Sequence, residues 1–331
     1  MNNLPFVSVI IPTYNRAHFL QNTLESFINQ KKYPQDRYEI IVSDNKCEDN
    51  TQELVKKYSS EFKNIRGIFE KRRGSHYARN SAAKVARGDI LYFTDDDMLA
   101  DENLLSEIVK IFDLDPMIGT ATGLIVGRFD FKTPKWVNNY GGYLSIPNRS
   151  KAVELFISKN DCGVISCHQA IKREVFFKSG GFNPDIAGTI YVGDGETGLN
   201  IKIKKMGYKF AYTSKAIIYH VIPKSRTTLK YLLKRSENYG VSDSYTEYRE
   251  HRDKDKIIKL MVKRNLTHLI KALGLTFFRV ISGRLPWYFI LVKLFYFHKR
   301  NIYDLKLYRN RRFRNVAEID DWLKNEQETE F

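Results

Sequence analysis

Residues 90–97 read ILYFTDDD, an apolar run that ends in three consecutive acidic residues. A short run of β-branched and aromatic residues bounded by polar ones is typical of a buried strand. In open α/β sheets ligands bind at the carboxyl ends of the strands, which is where Asp95 and Asp97 would lie. Carboxylate oxygens suit Mg²⁺ or Mn²⁺, ions that usually share substrate phosphates as ligands. The alternative is a solvated acidic turn that caps the helix starting near Glu102.

The residues before this run alternate between strand and helix patterns. Apolar strands of the kind buried in parallel sheets occur at residues 7–12 and 38–42, and a third strand is predicted at residues 66–70. Segments with apolar residues at helical spacing separate these strands. The resulting order, β-α-β-α-β-α-β with short connections, predicts a mostly parallel sheet with right-handed crossovers. Polar residues follow three of the strands at one edge of this sheet, where a nucleotide is expected to bind.

Four motifs in this region resemble the family 2 glycosyltransferases. They are VIIPTYNR at residues 9–16, VSDN at 42–45, ARN at 78–80 and DDD at 95–97, in the order and spacing of that family. The resemblance implies an α/β protein with the GT-A fold, in which helices flank a mostly parallel central sheet. It also implies an inverting transfer of sugar from a nucleotide-diphosphate donor. The predicted domains are a catalytic domain, residues 1–230, and a helical, basic, amphipathic C-terminal region, residues 231–331.

The resemblance assigns roles to individual side chains. The base and ribose would be held by Tyr14, Asn15 and Asp44, with Asp44 accepting a hydrogen bond from a pyrimidine N–H. The donor diphosphate would be supported by Arg79, and the metal, Mn²⁺ or Mg²⁺, would be bound by Asp97. The full set of predicted nucleotide-sugar-binding residues is Pro12, Thr13, Tyr14, Asn15, Arg16, Asp44, Arg79, Asp95, Asp96, Lys224 and Arg226.

A second acidic cluster, GDGETGL, occupies residues 193–199. The resembled family usually has two acids before a helix here, and the later one is the general base. By position Asp194 matches that base, and Glu196 is left on the acceptor side or as a helix cap. The chain departs from the pattern at Gly193, where the family often has Glu. The alternative is that Asp194 only caps the following helix, because helix amino termini favour acids.

His220 follows a predicted strand and precedes a basic loop. A neutral imidazole can complete a metal site begun by a carboxylate, so His220 is predicted to join Asp97 as a metal ligand. The alternative is a hydrogen-bonded histidine at a strand end. In the loop, Lys224 and Arg226 can neutralise a diphosphate, or they can belong to a solvated segment.

Charge is distributed unevenly along the 331 residues. The net charge is +16, and residues 224–331 hold 24 basic and 13 acidic residues. Basic helices with aromatic residues lie in membrane interfaces and are drawn to anionic lipids, so an anionic membrane surface is the first predicted partner of this region. The alternative is packing of Phe277, Trp287 and Phe289 against the sheet or a second subunit. Nucleic acid ranks last and is not expected as a partner.

Cysteine content and hydropathy bear on the compartment. The three cysteines do not form a disulfide framework, which favours a reducing environment. No signal peptide is predicted, and the apolar stretch at residues 285–292 is far shorter than the roughly 18 residues of a membrane-spanning helix. A cytoplasmic location is therefore expected, with peripheral attachment to the inner face of the membrane.

The predicted substrates are a nucleotide sugar, UDP-sugar first, and a saccharide or lipid-linked acceptor in bacterial cell-surface polysaccharide synthesis. The oligomeric state stays open, a homo-oligomer included. Two other functions compete with this one. A nucleotidyltransferase would be expected to have a glycine-rich loop after the first strand, where this chain has PTYNR. A non-catalytic lipid- or polyanion-binding protein on the same fold is the other alternative.

Overall fold

The first part of the chain forms parallel strands separated by helices. The strands pair in the order β3-β2-β1-β4, and every pairing is parallel, which confirms the predicted β-α-β-α-β-α-β order. The computed structural model describes residues 4–147, 153–184, 186–187, 190–191 and 193–324. The start of the predicted catalytic domain, residues 1–3, and the end of the predicted C-terminal region, residues 325–331, lie outside the described residues. The elements are β1 (Val7–Thr13), α1 (Ala17–Ile28), β2 (Tyr38–Asp44), α2 (Thr51–Glu61), β3 (Ile65–Phe69), α3 (Ser75–Val85) and β4 (Ile90–Thr94).

The second part of the chain extends this sheet with mixed pairing. β8 is antiparallel to both β4 and β6, and β11 is parallel to β6 and antiparallel to β5 and β7. Among the described residues nine strands form this sheet, and β9 and β10 form a small separate pair. The elements are β5 (Met98–Ala100), α4 (Leu104–Val109), β6 (Ile118–Arg128), α5 (Val137–Tyr140), β7 (Leu155–Ser158), β8 (His168–Lys172), α6 (Arg173–Lys178), β9 (Ile186–Ala187), β10 (Ile190–Tyr191), α7 (Gly195–Lys205) and β11 (Lys209–Val221).

Both faces of the sheet are covered, which explains why its central strands are apolar throughout. All seven residues of β1 are buried. Successive side chains of a strand point to opposite faces, so Val9 and Ile11 pack with α1 and α4, whereas Ile10 packs with α3, α6 and α7. Each fully buried aliphatic side chain of this kind contributes about 1.5–3 kcal/mol through removal of apolar surface from water.

The C-terminal region is helical, as its amphipathic pattern indicates. A π-helical turn, Asn265–Leu269, joins α9 and α10 into one continuous helix. Side-chain caps fix several helix starts, such as Asp253, whose carboxylate accepts from two backbone N–H groups of α9. None of the described helices has the length and apolar character needed to cross a bilayer. The helices are α8 (Leu229–His251), α9 (Lys254–Arg264), α10 (Ile270–Ile281), α11 (Phe289–Arg309) and α12 (Arg311–Ala317).

These helices pack on the catalytic part through an apolar cluster. Phe289 of α11 is fully buried against Trp136 and Tyr140, which follow β6. The packing alternative therefore holds for Phe289, whereas Phe277 and Trp287 are exposed. The boundary at residue 230 stays a prediction, although α8 begins at Leu229.

Candidate active site

The carboxyl ends of β1 and β4 border a cleft of about 260 Å³. Because the carboxyl ends of parallel strands lie at the same edge of the sheet, the segments that follow β1 and β4 come together here. Asn15 is turned aside: its backbone has a φ of 53°, and its side-chain oxygen accepts from the Glu48 N–H at 2.7 Å. Seven predicted residues line the cleft together with Asn45 and Ser75, namely Pro12, Thr13, Tyr14, Arg16, Arg79, Asp95 and Asp96.

Two arginines and a histidine surround Asp97 at this edge of the sheet. Its Oδ2 lies 2.6 Å from Arg16, 2.9 Å from Arg226 and 3.4 Å from His220. The pairing of β11 with β5, which places His220 opposite Met98, brings the imidazole to Asp97. Burial works against ionisation, but the hydrogen bond and charge of His220, with the charges of Arg16 and Arg226, hold the pKa of Asp97 well below its usual range. Asp97 is therefore an anion at neutral pH.

The residues around Asp97 fit a divalent cation. Within the described part of the chain, Asp97 Oδ1 is buried and has no hydrogen-bond partner, and Nε2 is the ring nitrogen of His220 that faces the Asp97 carboxylate. One carboxylate oxygen and one imidazole nitrogen are suitable ligands for Mn²⁺ or Mg²⁺, ions that take further oxygens from phosphates and water. No group of three or more His, Cys, Asp or Glu residues suited to a metal occurs among the described residues. A cation here would thus depend on the donor diphosphate for its remaining ligands.

The two other aspartates of the motif have different environments. Asp95 is partly exposed and pairs with Arg79, whose side chain also donates to Ser75 at 3.1 Å. Asp96 is buried; its Oδ2 accepts from the Thr13 hydroxyl at 2.8 Å, and its Oδ1 forms an ion pair with Arg16 at 2.6 Å. Burial raises the pKa of Asp96 to about 7, with Arg16 acting in the opposite direction. Asp96 lines the cleft and also joins β4 to the end of β1, so its contact with the donor stays a prediction.

Two further predicted residues have distinct surroundings. Tyr14 is exposed, and the guanidinium of Arg73 lies 4.9 Å from its ring centre. Asp44 is buried, and its two oxygens accept from the Cys47 N–H at 2.7 Å and from Gln52 at 2.9 Å. It lines a second cavity of about 510 Å³ between β2 and α2, so its contact with a base stays a prediction.

Lys224 and Arg226 occupy one short 3₁₀ turn but differ in their contacts. Arg226 reaches both Asp97 and His220, at 2.9 Å each. Lys224 is exposed and is not among the described partners of Asp97. The structure therefore supports the predicted position of Arg226 and does not bring Lys224 to the site.

The structure does not place Asp194, the predicted general base, among the described residues that line the cleft. Its side chain is 1 % exposed and lies beneath α8. One carboxylate oxygen accepts from Asn183 at 2.6 Å, and the other accepts from Thr246 at 3.2 Å and lies 3.9 Å from Arg249. Burial raises the pKa of Asp194 despite the nearby charge of Arg249. Asp194 instead lines a separate cavity of about 700 Å³ together with Thr246 and Arg249, away from the described lining of the cleft.

Glu196, two residues later, has the accessibility that Asp194 lacks. Its side chain is 29 % exposed, and Oε2 lies 3.5 Å from His76 Nε2 and 3.4 Å from the Ser166 hydroxyl. Burial opposes ionisation of Glu196, but the hydrogen bond and charge of His76 and the charge of Arg79 lower its pKa. Arg79 also pairs with Asp95, so Glu196 belongs to the same charged edge as the cleft.

His76 is a site residue that the sequence interpretation missed. It follows Gly74 at the start of α3, and its ring lies 5.1 Å from that of Phe182. Gly195 permits the approach of Glu196, because it has a φ of 49° and a Cβ atom there would be 2.6 Å from His76. In the sequence, His76 is marked only by its place three residues before Arg79 on one predicted helix, a signal too weak to single it out.

Parts of this chain are similar in sequence to known glycosyltransferases. A glycosyltransferase of Haloferax volcanii, AglE, is 32 % identical over 171 residues, which cover 48 % of this chain and 54 % of AglE. The matched part thus spans about half the length of that relative.

Two solved structures share the fold. The mannosyltransferase PcManGT from Pyrobaculum calidifontis, in complex with GDP-Man and Mn²⁺, has a TM-score of 0.58 at 21 % identity, covering 98 % of this chain and 89 % of the other. GalNAc-T7 with UDP, GalNAc and Mn²⁺ has a TM-score of 0.50 at 21 % identity, covering 66 % of this chain and 43 % of the other. Both are GT-A enzymes, so the predicted fold class is confirmed.

The sequence profile of the glycosyl transferase family 2 matches residues 8–179, just over half of the chain. The matched region contains β1 to β4, the acidic motif and the cleft residues as far as α6. The chain therefore belongs to glycosyl transferase family 2.

Proposed function

We propose that this protein transfers a sugar from a nucleotide-diphosphate donor to an acceptor hydroxyl with inversion at the anomeric carbon. The observation that carries the proposal is the convergence of Arg16, Arg226 and His220 on the single buried carboxylate of Asp97, beside an open cleft. Two guanidinium groups, of Arg16 and Arg226, thus lie at this edge of the sheet, and guanidinium groups bind phosphate oxygens in bidentate fashion, which suits a diphosphate. Family membership supports the same reaction class.

The donor would lie with its diphosphate at Asp97 and its nucleoside along the loop after β1. Arg16 and Arg226 would bind phosphate oxygens, Arg79 would hold Asp95 toward the sugar or ribose, and the exposed Tyr14 ring would pack on the nucleoside. A cation held by Asp97 and His220 would neutralise charge on the departing diphosphate. Mn²⁺ in the two solved neighbours supports this choice of cofactor, and a UDP-sugar remains the first choice of donor, with GDP- and dTDP-sugars next.

Glu196 would act as the general base. Its lowered pKa keeps the carboxylate ionised at neutral pH, ready to take the proton of an acceptor hydroxyl. As the proton moves to Glu196, the acceptor oxygen bonds to the anomeric carbon, and the bond from that carbon to the diphosphate oxygen breaks. One displacement inverts the configuration and requires no covalent enzyme intermediate.

The acceptor is proposed to be a saccharide or a lipid-linked saccharide of the bacterial cell surface. The basic, apolar character of the C-terminal region supports an acceptor presented at a membrane. A cytoplasmic location at the inner membrane face follows as part of the same proposal.

Binding of donors tests the proposal directly. UDP-, GDP- and dTDP-sugars with Mn²⁺ would be compared by thermal shift, since a ligand at 100 times its Kd adds about 2.7 kcal/mol of apparent stability. Arg226→Ala should weaken binding by at least about tenfold, the effect of losing one charge-assisted bond, whereas Lys224→Ala is the matched control. Product formed from the selected donor should have inverted configuration by NMR. A retained configuration, or equal loss in both variants, would contradict the proposal.

A further inference from the structure

A stripe of exposed apolar side chains runs along the continuous helix formed by residues 254–281. We call it the apolar stripe, and its members are Leu266, Ile270, Phe277, Phe278, Ile281 and, after the following turn, Trp287. Sequence intervals of four, seven and four residues place most of these side chains on one face of the helix. The opposite face is buried through Ile257, Arg264 and Thr276. The helix therefore packs on the rest of the protein through the opposite face, which leaves the apolar stripe exposed to solvent.

The charged residues in the sequence segment that carries the apolar stripe are all basic. No acidic residue occurs between Asp255 and Asp304, whereas ten lysines and arginines do. Of these, Lys263, Lys271 and Arg284 are exposed beside the stripe. Monomeric proteins seldom expose contiguous apolar surface rimmed by polar residues unless it binds something.

We propose that the apolar stripe and its basic flanks bind the surface of a membrane that contains anionic lipids. Apolar side chains enter the boundary between headgroups and acyl chains, and the lysines and arginines meet the phosphates. A second copy of the chain fits less well, because it would bring an equally basic surface against this one. Nucleic acid would leave the row of aliphatic and aromatic side chains in water. The proposal does not rest on the glycosyltransferase activity.

Tryptophan fluorescence gives a specific readout. Trp287 is 65 % exposed, whereas Trp136 and Trp322 are 1 % and 3 % exposed. A blue shift of emission on addition of vesicles therefore reports Trp287 entering an apolar environment. The full chain would be mixed with vesicles of phosphatidylcholine alone and of phosphatidylcholine with about one third phosphatidylglycerol. Trp287→Phe should still float with the anionic vesicles but should lose the blue shift.

Two pairs of variants separate apolar from charge contributions. Leu266→Ser should lower the vesicle partition coefficient at least about fivefold, and Leu114→Ser, at an exposed leucine outside the stripe, should not. Lys271→Glu should lower it at least about fivefold, and Lys63→Glu is the matched control. All four side chains are exposed, so thermal unfolding should be unchanged. Raising salt from about 0.05 M to about 0.5 M should release most of the bound protein.

Three results would overturn the proposal. The first is absence of flotation with anionic vesicles. The second is a blue shift that persists in Trp287→Phe. The third is a blue shift that appears with rising protein concentration in the absence of lipid, since this would assign the stripe to contact between copies of the chain.

Discussion

Exchange of each acid of the second cluster for its amide separates the two candidates for the general base. Glu196→Gln keeps the volume of the side chain and an oxygen for the Ser166 hydroxyl, but it removes the site for the substrate proton. Loss of a general base lowers rates by about 10²–10⁴, equivalent to about 2.7–5.5 kcal/mol in the activation barrier. Donor affinity should stay within about twofold, because the expected loss is confined to the proton-transfer step.

Asp194→Asn is expected to act on stability rather than on chemistry. The asparagine oxygen can still accept from Asn183, and its amide can donate to the Thr246 hydroxyl. The attraction to Arg249 is lost. A neutral asparagine, however, also avoids the free-energy cost of burying a charged carboxylate, the cost that raises the pKa of Asp194. The net loss in free energy of unfolding should be about 1–2 kcal/mol, which lowers Tm by a few degrees. The rate should fall less than about tenfold.

The assay is release of nucleoside diphosphate from the donor that the thermal-shift panel selects, with kcat and KM measured for both variants at one pH. Circular dichroism and thermal unfolding establish that each variant is folded. Our reasoning is refuted if Asp194→Asn is folded and loses activity at least about 10²-fold while Glu196→Gln remains active.

Two further outcomes follow from buried carboxylates. Asp97→Asn should leave the protein folded but weaken Mn²⁺-dependent UDP binding, measured by thermal shift, at least about tenfold. The reason is that the proposed cation ligand, which faces Arg16 and Arg226, loses its negative charge. An unchanged Mn²⁺ dependence would exclude Asp97 as a ligand. Glu39 is buried and accepts hydrogen bonds from the Ser8 hydroxyl, the Arg87 backbone N–H and the Arg66 side chain. Burial raises the pKa of Glu39, but these hydrogen bonds and the charge of Arg66 lower it further, so the net shift is downward. Because the pKa of Glu39 is lower in the folded than in the unfolded protein, ionised Glu39 stabilises the fold. This stabilisation is complete above about pH 4.5 and is lost as the pH falls through the folded-state pKa. Glu39→Gln should therefore cost about 2 kcal/mol at pH 7, and urea unfolding should show the variant and the native protein converging below about pH 4.

Much of the fold follows from local patterns in the sequence. The apolar runs of β1, β2 and β4 end in polar residues where the strands end, so their positions and the edge that binds ligands are predictable. The same rule correctly brings Arg16 and Asp97 together, although 81 residues separate them. Arg226 and His220 were also predicted at this edge, and they lie there.

The sequence is less informative where a side chain's exposure depends on distant packing. Asp194 and Glu196 are two residues apart, and nothing in their spacing tells which one is accessible. The difference is decided by Thr246 and Arg249 of α8, which cover Asp194. In the same way the sequence does not distinguish the buried Phe289 from the exposed Trp287, because both lie in one aromatic, basic stretch.

The last described segment completes the layer beside α3 and α6. The Trp322 ring packs edge-on against Tyr77, and the Trp322 backbone N–H donates to the Gly180 carbonyl at 2.9 Å, while Leu323 joins the core that contains Phe176. During synthesis, therefore, the surface around Tyr77 stays open to water until residue 323 has left the ribosome. The packing of this layer is therefore completed only after the helices α8 to α12 have been made.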